Sequence, residues 1–223
     1  RPEYSHSFSA SADYYHSFGK VQTNFLVEGF YTMLDNIFTL QKVGTDDDGN
    51  IIKERRNADG ARVGGLSVEA KAGIPGKFEA QIGYTFQKSH YTEARQWSDD
   101  VAAEKRMFRS PDHYAYLTAS YNITEHFKAS LFGNYTGRML VEHNAGVIEQ
   151  DTNFLTPDFW DMSLKLSYDF HLTGNLRLEI NAGVKNVLDA YQKDIDCGVQ
   201  KDGAYIYGPS LPRTWFVGAK FYL

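Results

Sequence analysis

Apolar side chains occupy every second position over long stretches of this 223-residue chain. In the final stretch they are Trp215, Val217, Ala219, Phe221 and Leu223. A repeat of two residues is that of a β-strand, in which successive side chains point to opposite faces of the sheet. The pattern recurs along the chain and predicts nine strands. Their alternating segments lie at residues 8–14, 21–33, 66–74, 78–86, 115–123, 127–135, 160–170, 176–184 and 215–223.

The predicted connections between these strands alternate strictly between short and long. The short ones are 16–20, 74–77, 123–126 and 172–175, and the long ones are roughly 43–61, 90–112, 142–158 and 189–211. Antiparallel neighbours joined in this way have all of their long loops at one end of the sheet. This arrangement is typical of an outer-membrane β-barrel, which has its tight turns in the periplasm and its long loops outside the cell.

The distribution of aromatic residues favours a lipid-facing surface over a closed protein core. In the segment 78–86, Phe78 and Tyr84 flank smaller aliphatic residues, and the segments 127–135 and 160–170 repeat this arrangement. Aromatic residues gather at both edges of the lipid-facing band of a membrane barrel. The opposite face carries charges of both signs, as expected of a polar lumen. The predicted fold is therefore all-β, an antiparallel up-and-down transmembrane β-barrel.

The strand directions indicate that this barrel is incomplete. The last predicted strand runs toward the periplasm, and by alternation the first one does too. A bacterial barrel has an even number of strands with both termini in the periplasm, so at least one more strand is expected before the first. The sequence opens at Arg1 without a signal peptide, and we therefore expect a mature piece or an excised fragment.

Composition narrows the expected partners and chemistry. The formal net charge of −5 does not suggest a nucleic-acid partner. The lone Cys197 excludes an intrachain disulfide framework and a cysteine-based metal cage. The seven histidines lack metal-ligand spacing, and no arrangement typical of nucleophilic or acid–base catalysis stands out. We therefore expect neither an enzyme nor a bound cofactor.

The long loops contain four aromatic residues that are candidates for binding a ligand. Trp97, Tyr191, Tyr205 and Tyr207 lie among aspartate, lysine and glycine. Rings at the mouth of a barrel can stack on sugars or on flat ligands. The alternative role for each ring is packing between neighbouring loops.

An acidic run in the first long loop is a weak calcium candidate. Asp46, Asp47 and Asp48 precede Gly49 and Asn50. Clustered carboxylates can hold Ca²⁺ through their oxygen atoms. The spacing is not that of an EF-hand, however, and the alternative is a loop apex that uses Asp-Gly turn chemistry.

Three stretches resemble the C-terminal half of TonB-dependent outer-membrane receptors of the Bacteroidetes type. They are RPEYSHSFSASADYY (1–15), GNLRLEINAGVKNVLDAYQKDID (174–196) and YIYGPSLPRTWFVGAKFYL (205–223). The first is similar to the start of a strand midway round those barrels. Within the second, Asn186-Val187-Leu188-Asp189-Ala190-Tyr191 is similar to the family's Asn-Leu-Phe-Asp-x-x-Tyr segment, and the third stretch is similar to the family's final strand.

The resemblance implies that residues 1–223 are the C-terminal part of a receptor barrel domain. They would supply about nine of about 22 strands, with the plug domain and the first strands absent. The parent protein would lie in the outer membrane of a Gram-negative bacterium. It would bind a scarce nutrient, such as a metal chelate, a cobalamin or a glycan, and import it with TonB energy.

The same resemblance implies several partners. These are outer-membrane lipid, the small-molecule or glycan ligand, and TonB, which would act through the missing N-terminal region. A surface lipoprotein is a further candidate partner. The barrel-assembly machinery would recognise the last strand, with Trp215, Val217, Phe221 and Leu223 as the assembly signal.

Two other readings of the strand pattern stay open at this point. One is a smaller outer-membrane barrel of about ten strands that acts as an adhesin, a structural protein or a membrane enzyme. The other is a soluble all-β carbohydrate-binding module. A plug-like domain upstream of Arg1 would distinguish the receptor from the small barrel, and solubility without detergent would favour the soluble module.

Overall fold

The computed structural model describes residues 1–47, 51–172, 174 and 176–222. Within these ranges the chain forms fourteen β-strands, and no helix there is long and apolar enough to cross a membrane. The strands are β1 (Tyr4–Phe18), β2 (Val21–Asp35), β3 (Phe38–Thr45), β4 (Ile51–Asn57), β5 (Gly60–Ile74), β6 (Phe78–Arg95), β7 (Glu104–Arg106), β8 (His113–Asn122), β9 (Phe127–Thr136), β10 (Leu140–His143), β11 (Thr152–Leu155), β12 (Phe159–His171), β13 (Arg177–Lys185) and β14 (Thr214–Tyr222).

Nine of these strands form one antiparallel sheet and correspond to the nine predicted segments. Their order is β1-β2-β5-β6-β8-β9-β12-β13-β14, so each strand lies beside the next long strand of the sequence. The short strand β7 also joins this sheet, through β6. The predicted antiparallel, up-and-down architecture is confirmed. The sheet does not close on itself, and β1 and β14 are its two edges.

Short turns and long connections alternate along this sheet as the sequence predicted. The turn after β1 contains Gly19 with a φ of 63°, and the turn after β5 contains Gly76 with a φ of 73°. Glycine adopts these left-handed angles without the steric cost that a Cβ atom brings. The turn predicted at 172–175 includes Thr173 and Asn175, which lie outside the described residues.

The long connections contain structure that the sequence pattern did not predict. The predicted loop 43–61 is wrong in part, because β3 and β4 pair as a hairpin there and β5 already begins at Gly60. In the later long connections, β6 continues to Arg95, β7 pairs with β6, and β10 pairs with β11. These strands are short extensions beyond the main sheet, and their alternation covers too few residues to be distinguished from a loop.

The register brings the apolar positions of neighbouring strands together on one face of the sheet. Ile82 of β6 lies between Ala70 of β5 and Leu117 of β8. Farther along, Leu164 of β12 lies opposite Leu131 of β9. A slip of one residue between any two strands would turn apolar side chains to the polar face. The pairing therefore produces one continuous apolar face.

This apolar face is exposed rather than packed against a second sheet. The exposed fraction is 53% for Ile82 and 79% for Val217. On the polar face, the side chains of Glu69 and Glu179 are only 22% and 17% exposed. A soluble sandwich would bury its apolar face instead, so the soluble-module alternative is wrong. The polar side chains are thus more crowded than the apolar ones, as expected of the lumen side of a barrel sheet.

Candidate ligand-binding region at the long-loop end

The long connections are held together by a small apolar cluster, which we call the loop core. It consists of buried side chains from β10 and the residue before it, from the start of β12 and from the connection between β13 and β14. Phe154 and Ala190 pack against it from outside. The members of the loop core are Met139, Val141, Phe159, Tyr205 and Tyr207. Two of the four predicted ligand-binding aromatics therefore belong to a packed interior, with Tyr205 only 2% exposed.

The hydroxyl groups of both loop-core tyrosines donate hydrogen bonds to one carboxylate. Tyr205 Oη lies 2.9 Å from Oδ2 of Asp194, and Tyr207 Oη lies 2.5 Å from its Oδ1. Burial alone would raise the pKa of the Asp194 carboxyl, but these hydrogen bonds outweigh it and hold the pKa below its ordinary value of 3.8. Burial, and the bonds to this carboxylate, raise the pKa of both phenols. At neutral pH, Asp194 is therefore an acceptor and both tyrosines are donors.

A histidine–aspartate pair joins β10 to the same connection. Nε2 of His143 lies 3.1 Å from each carboxylate oxygen of Asp196, and both residues are buried. The ring of Tyr205 stacks on the His143 ring with 3.5 Å between centroids and 6° between planes. Stacking and hydrogen bonding together fix the position of the imidazole. His143 is thus a structural link between loops rather than part of a histidine metal cluster.

Further hydrogen bonds tie the backbone of the last long connection to its neighbours. The side-chain nitrogen of Gln192 donates to the backbone carbonyl oxygen of Tyr205, and its side-chain oxygen accepts from the backbone N–H of Tyr207. Asp202 accepts from the backbone and the side chain of Asn144 at 2.9 Å each. Burial opposes ionisation of Asp202, but these bonds outweigh it and lower the pKa of its carboxyl. The connection is therefore anchored at several points along its length.

The connection between β6 and β8 also contacts this region. The Arg109 guanidinium donates to the carbonyl oxygens of Ala204 and of Ile206, the latter at 2.8 Å. The predicted binding residue Trp97 is half-buried and donates from Nε1 to Oδ1 of Asn153 at 2.7 Å. It therefore joins the β6–β8 connection to β11. Three of the four long connections thus meet at one end of the sheet.

The fourth predicted binding residue, Tyr191, lies outside the loop core and is partly exposed. The Nζ atom of Lys193 lies 5.4 Å from the centre of its ring. The structure thus brings Tyr205 and Tyr207 together, links Trp97 through a neighbouring strand, and leaves Tyr191 partly exposed outside the loop core. A ligand contact from any of the four stays a prediction.

A cavity of about 170 Å³ lies between the loop core and the polar face of the sheet. Phe159 and Tyr207 contribute rings to its wall, and Asn134, Thr136 and Asp161 contribute polar side chains. Rings beside hydrogen-bonding groups form the kind of lining that orients a small ligand. The sequence predicts only that the charged residues of this face line a polar lumen, and Asp161 is one of them. Its cross-strand pairing with Asn134 depends on register, which no local motif reveals.

The other predicted site residues are only partly described. Asp48 of the calcium candidate lies outside the described residues, and so does Leu223 of the assembly signal. Among the residues that the structure describes, no group of three histidine, cysteine, aspartate or glutamate side chains could hold a metal ion. The calcium site stays a prediction. Trp215, Val217 and Phe221 are exposed in β14, and their role in assembly also stays a prediction.

Comparison with known proteins gives a family match over most of the chain. A family model described as TonB dependent receptor-like, beta-barrel, matches residues 1–187. A comparison with curated proteins finds no match.

Three solved structures have a similar fold. The ferric-catecholate import receptor Fiu of E. coli K12 has a TM-score of 0.66 and 21% identity, over 100% of this chain and 28% of its own. The ferripyoverdine receptor of Pseudomonas aeruginosa has a TM-score of 0.65 and 15% identity, over 98% of this chain and 27% of its own. The FrpB iron transporter of Neisseria meningitidis has a TM-score of 0.58 and 14% identity, over 96% of this chain and 30% of its own. The chain thus spans less than a third of the length of each.

Proposed function

Because this chain belongs to the family of TonB-dependent receptor-like β-barrels, we propose that it is part of an active transporter that imports a scarce nutrient with energy supplied through TonB. The family and the similar structures are proteins of the Gram-negative outer membrane and are transport receptors rather than enzymes. The chain is therefore a segment of an outer-membrane barrel. The observation that best supports nutrient binding is the fixed cluster of long loops above the polar face of the sheet.

We assign different roles to the long-loop end of the sheet and to its polar face. The long loops would lie outside the cell and receive the nutrient, and the polar face would line the path through the membrane. The cavity beside Asp161 lies where these two regions meet. A ligand held there would contact both the loops and the lumen wall. The exposed apolar face would contact outer-membrane lipid.

Three ligand classes fit the proposal: a metal chelate, a cobalamin and a glycan. Rings beside polar groups can contact any of them. We rank a metal chelate first, because two of the similar structures are named for the ferric catecholates and the ferripyoverdine that they import or bind. The identity to those proteins is low, so this ranking rests on fold similarity.

The partners of the whole receptor are also proposed here. Residues 1–223 would be the C-terminal part of its barrel domain, preceded by a plug domain and further strands. TonB would act on that N-terminal region, and the barrel-assembly machinery would recognise β14. A surface lipoprotein is retained as a candidate partner at the long-loop end. The smaller barrel remains the alternative, and a full-length gene without a plug-like domain would support it.

Gene deletion tests the transport function directly. A strain without the full-length gene should lose growth on one scarce nutrient among iron chelates, cobalamin and glycans, and the full-length gene should restore it. Uptake of the radiolabelled nutrient should also disappear when TonB is deleted. Unchanged uptake of every candidate nutrient in the deletion strain would contradict the proposal.

A pair of variants tests the site in the full-length receptor. Asp161→Ala should weaken ligand binding by about 1–3 kcal/mol, because a polar ligand loses a charged hydrogen-bond acceptor. Glu79→Ala, at the short-turn end of the polar face, should leave binding unchanged and serves as the carboxylate control. Isothermal titration of detergent-solubilised receptor measures both. Equal affinities of the two variants would show that the cavity is not part of the ligand-binding site.

A further inference from the structure

Two histidines from neighbouring strands meet at the short-turn end of the sheet, and we call them the histidine pair. His126 directly precedes β9, and His171 is the last residue of β12. Their ring centres lie 5.1 Å apart, with 66° between the ring planes. Both residues are exposed. The pair therefore lies at the opposite end of the sheet from the loop core, where a small ligand can reach it from solution.

Hydrogen bonds hold the backbone of the histidine pair in place. The carbonyl oxygen of His126 accepts from the N–H of Asp169 at 2.9 Å, which ties it to β12. Oγ1 of Thr124 accepts from the N–H of His126 at 3.3 Å and from that of Phe127 at 3.0 Å. His171 is paired with β13 on the other side. The two imidazoles are therefore held beside each other before any ligand binds.

The distance between the two rings suits two imidazole ligands of one metal ion. A tetrahedral Zn²⁺ lies about 2.0 Å from each ligating nitrogen, which places it about 3.2 Å from each ring centre and the two ring centres about 5.2 Å apart. Neighbouring ligands of a square-planar Cu²⁺ would have ring centres about 4.5 Å apart. The observed 5.1 Å lies within this range. Coordination by both rings therefore does not require the two strands to move apart or together.

A nearby carboxylate has an oxygen atom without a hydrogen-bond donor. Oδ1 of Asp169 is buried and lacks a partner among the residues that the structure describes. Asp169 lies two residues before His171 in β12, so both side chains leave the same face of the strand. A ligating imidazole commonly donates its second N–H to a carboxylate, which orients the ring. Asp169 offers such an acceptor on the strand face that carries His171.

The histidine pair supplies two protein ligands, and water would complete the coordination. Within the described part of the chain, no group of three histidine, cysteine, aspartate or glutamate side chains could hold a metal ion. Structural zinc sites use four protein ligands and catalytic ones three, so a site with two should exchange its ion readily. Imidazole suits zinc, copper and nickel, and among divalent ions Cu²⁺ binds most tightly.

We propose that the histidine pair binds a divalent transition-metal ion such as Cu²⁺ through one nitrogen of each ring. The bound ion joins the turn before β9 to the end of β12. This site is separate from the cavity beside Asp161, and it requires nothing of the transported nutrient.

Copper titration of the full-length receptor tests the site. The receptor is purified in detergent without a histidine tag, stripped of metal with EDTA and titrated with Cu²⁺. Isothermal titration measures the affinity, and electron paramagnetic resonance counts the nitrogen atoms bound to the ion. Loss of an outer partner of a metal ligand alone costs about 10–100-fold in affinity. His126→Gln and His171→Gln, which each remove a ligand, should therefore weaken binding at this site at least about tenfold and abolish its two-nitrogen signal.

His16→Gln provides the matched control. His16 is an exposed histidine near another short turn, and its ring contacts Tyr14 and Phe18 rather than a second histidine. Its removal should leave Cu²⁺ binding unchanged. Both test variants alter exposed side chains, and either one suffices if the other fails to fold. Wild-type affinity and an unchanged spectrum in H126Q and H171Q would overturn the proposal and leave the pair as a ring contact only. The titration uses no nutrient, so a failure of the copper site and a failure of transport are separate results.

Discussion

At the scale of single residues, two glycines determine which rings fit on the polar face. Gly83 pairs with Tyr116 across β6 and β8, and a Cβ atom on this glycine would lie 2.3 Å from the tyrosine ring. Gly183 pairs with Phe216, and its Cβ atom would lie 2.6 Å from that ring. In both pairs an aromatic side chain covers the glycine opposite, an arrangement that stabilises glycine in strands. The absence of a side chain at each glycine therefore makes room for the ring that packs over it.

Gly83→Ala is expected to destabilise the folded receptor by about 1–3 kcal/mol, because the ring of Tyr116 must move to make room for the methyl group. Gly29→Ala is the control, since no atom lies within 4 Å of the Cβ position there. Urea unfolding of the full-length variants in phospholipid vesicles measures the difference. Equal stability of the two variants would show that the ring moves at no cost.

The carboxylate of Asp194 offers a prediction about pH. Asp194→Asn should loosen the loop core by about 1–3 kcal/mol, because two buried phenols lose a charged acceptor. The folded-state pKa of this carboxyl is depressed below 3.8. Its stabilising contribution is therefore complete above that value and is lost as the pH falls through the depressed pKa.

Near-ultraviolet circular dichroism of the tyrosines in the full-length receptor follows this loss. The difference between wild type and D194N should be constant from about pH 7 to pH 5 and disappear in more acidic solution. A difference that increases on acidification would contradict the assignment of an ionised carboxylate.

At the scale of elements, one buried pair connects the β10–β11 hairpin to the connection before β14. His143→Ala and Asp196→Ala should each increase amide exchange in β10. The double variant should lower the free energy of opening of β10 by less than the sum of the two single effects. The expected coupling is about 0.5–3 kcal/mol. Hydrogen-exchange mass spectrometry of Leu140–His143 measures it. His126→Ala, at an exposed histidine, is the control, and its effect should simply add to that of Asp196→Ala.

At the same level of the sheet, β6 and β8 should tolerate an introduced charge on their polar face but not on their apolar face. Ile82 lies on the apolar face opposite Leu117, and Thr118, the next residue of β8, lies on the polar face. Ile82→Arg should destabilise the receptor by about 2–4 kcal/mol, the cost of arginine in the middle of a lipid-facing band. Thr118→Arg should cost far less. Equal costs measured by urea unfolding in vesicles would contradict the assignment of the lipid face.

Elements of different length were not equally predictable from sequence. The nine long strands and their alternating turns follow from a period of two that is sustained over many residues, as in β12. The apolar pattern does not predict the hairpin of β3 and β4, although the Asp48-Gly49 pair in the sequence is a known hairpin signal. Its strands carry charged residues such as Arg55 and Arg56, so no apolar face marks them. Short strands beyond the membrane have no lipid to impose a pattern.

At the scale of the whole molecule, the arrangement of the loops depends on contacts between distant residues. Trp97 meets Asn153 at a separation of 56 residues, and His143 meets Asp196 at a separation of 53. Composition pointed to the aromatic residues at this end of the sheet as ligand-binding candidates, and that role stays a prediction. It could not indicate that Tyr205 would be buried, because its burial follows from where β10 and β12 begin and end.

The two open edges predict the behaviour of the isolated chain. Every residue of β1 is exposed, and β14 at the other edge has Trp215 and Val217 exposed at 76% and 79%. An open edge presents unpaired backbone donors and acceptors, and it pairs with another chain when none of its own is available. Residues 1–223 refolded alone should therefore require detergent and form a mixture of oligomers, because lipid-facing surface and free edges are both exposed.

Size-exclusion chromatography with light scattering distinguishes the effects of face and edge. Detergent should cover the apolar face but cannot satisfy the backbone of an edge strand, so oligomers should persist in detergent for the fragment alone. The full-length receptor in the same detergent should elute as one monomeric species, because β1 and β14 would then pair with the further strands that we propose for the whole barrel. A fragment that is monomeric without detergent would contradict both the lipid-facing assignment and the open-edge argument.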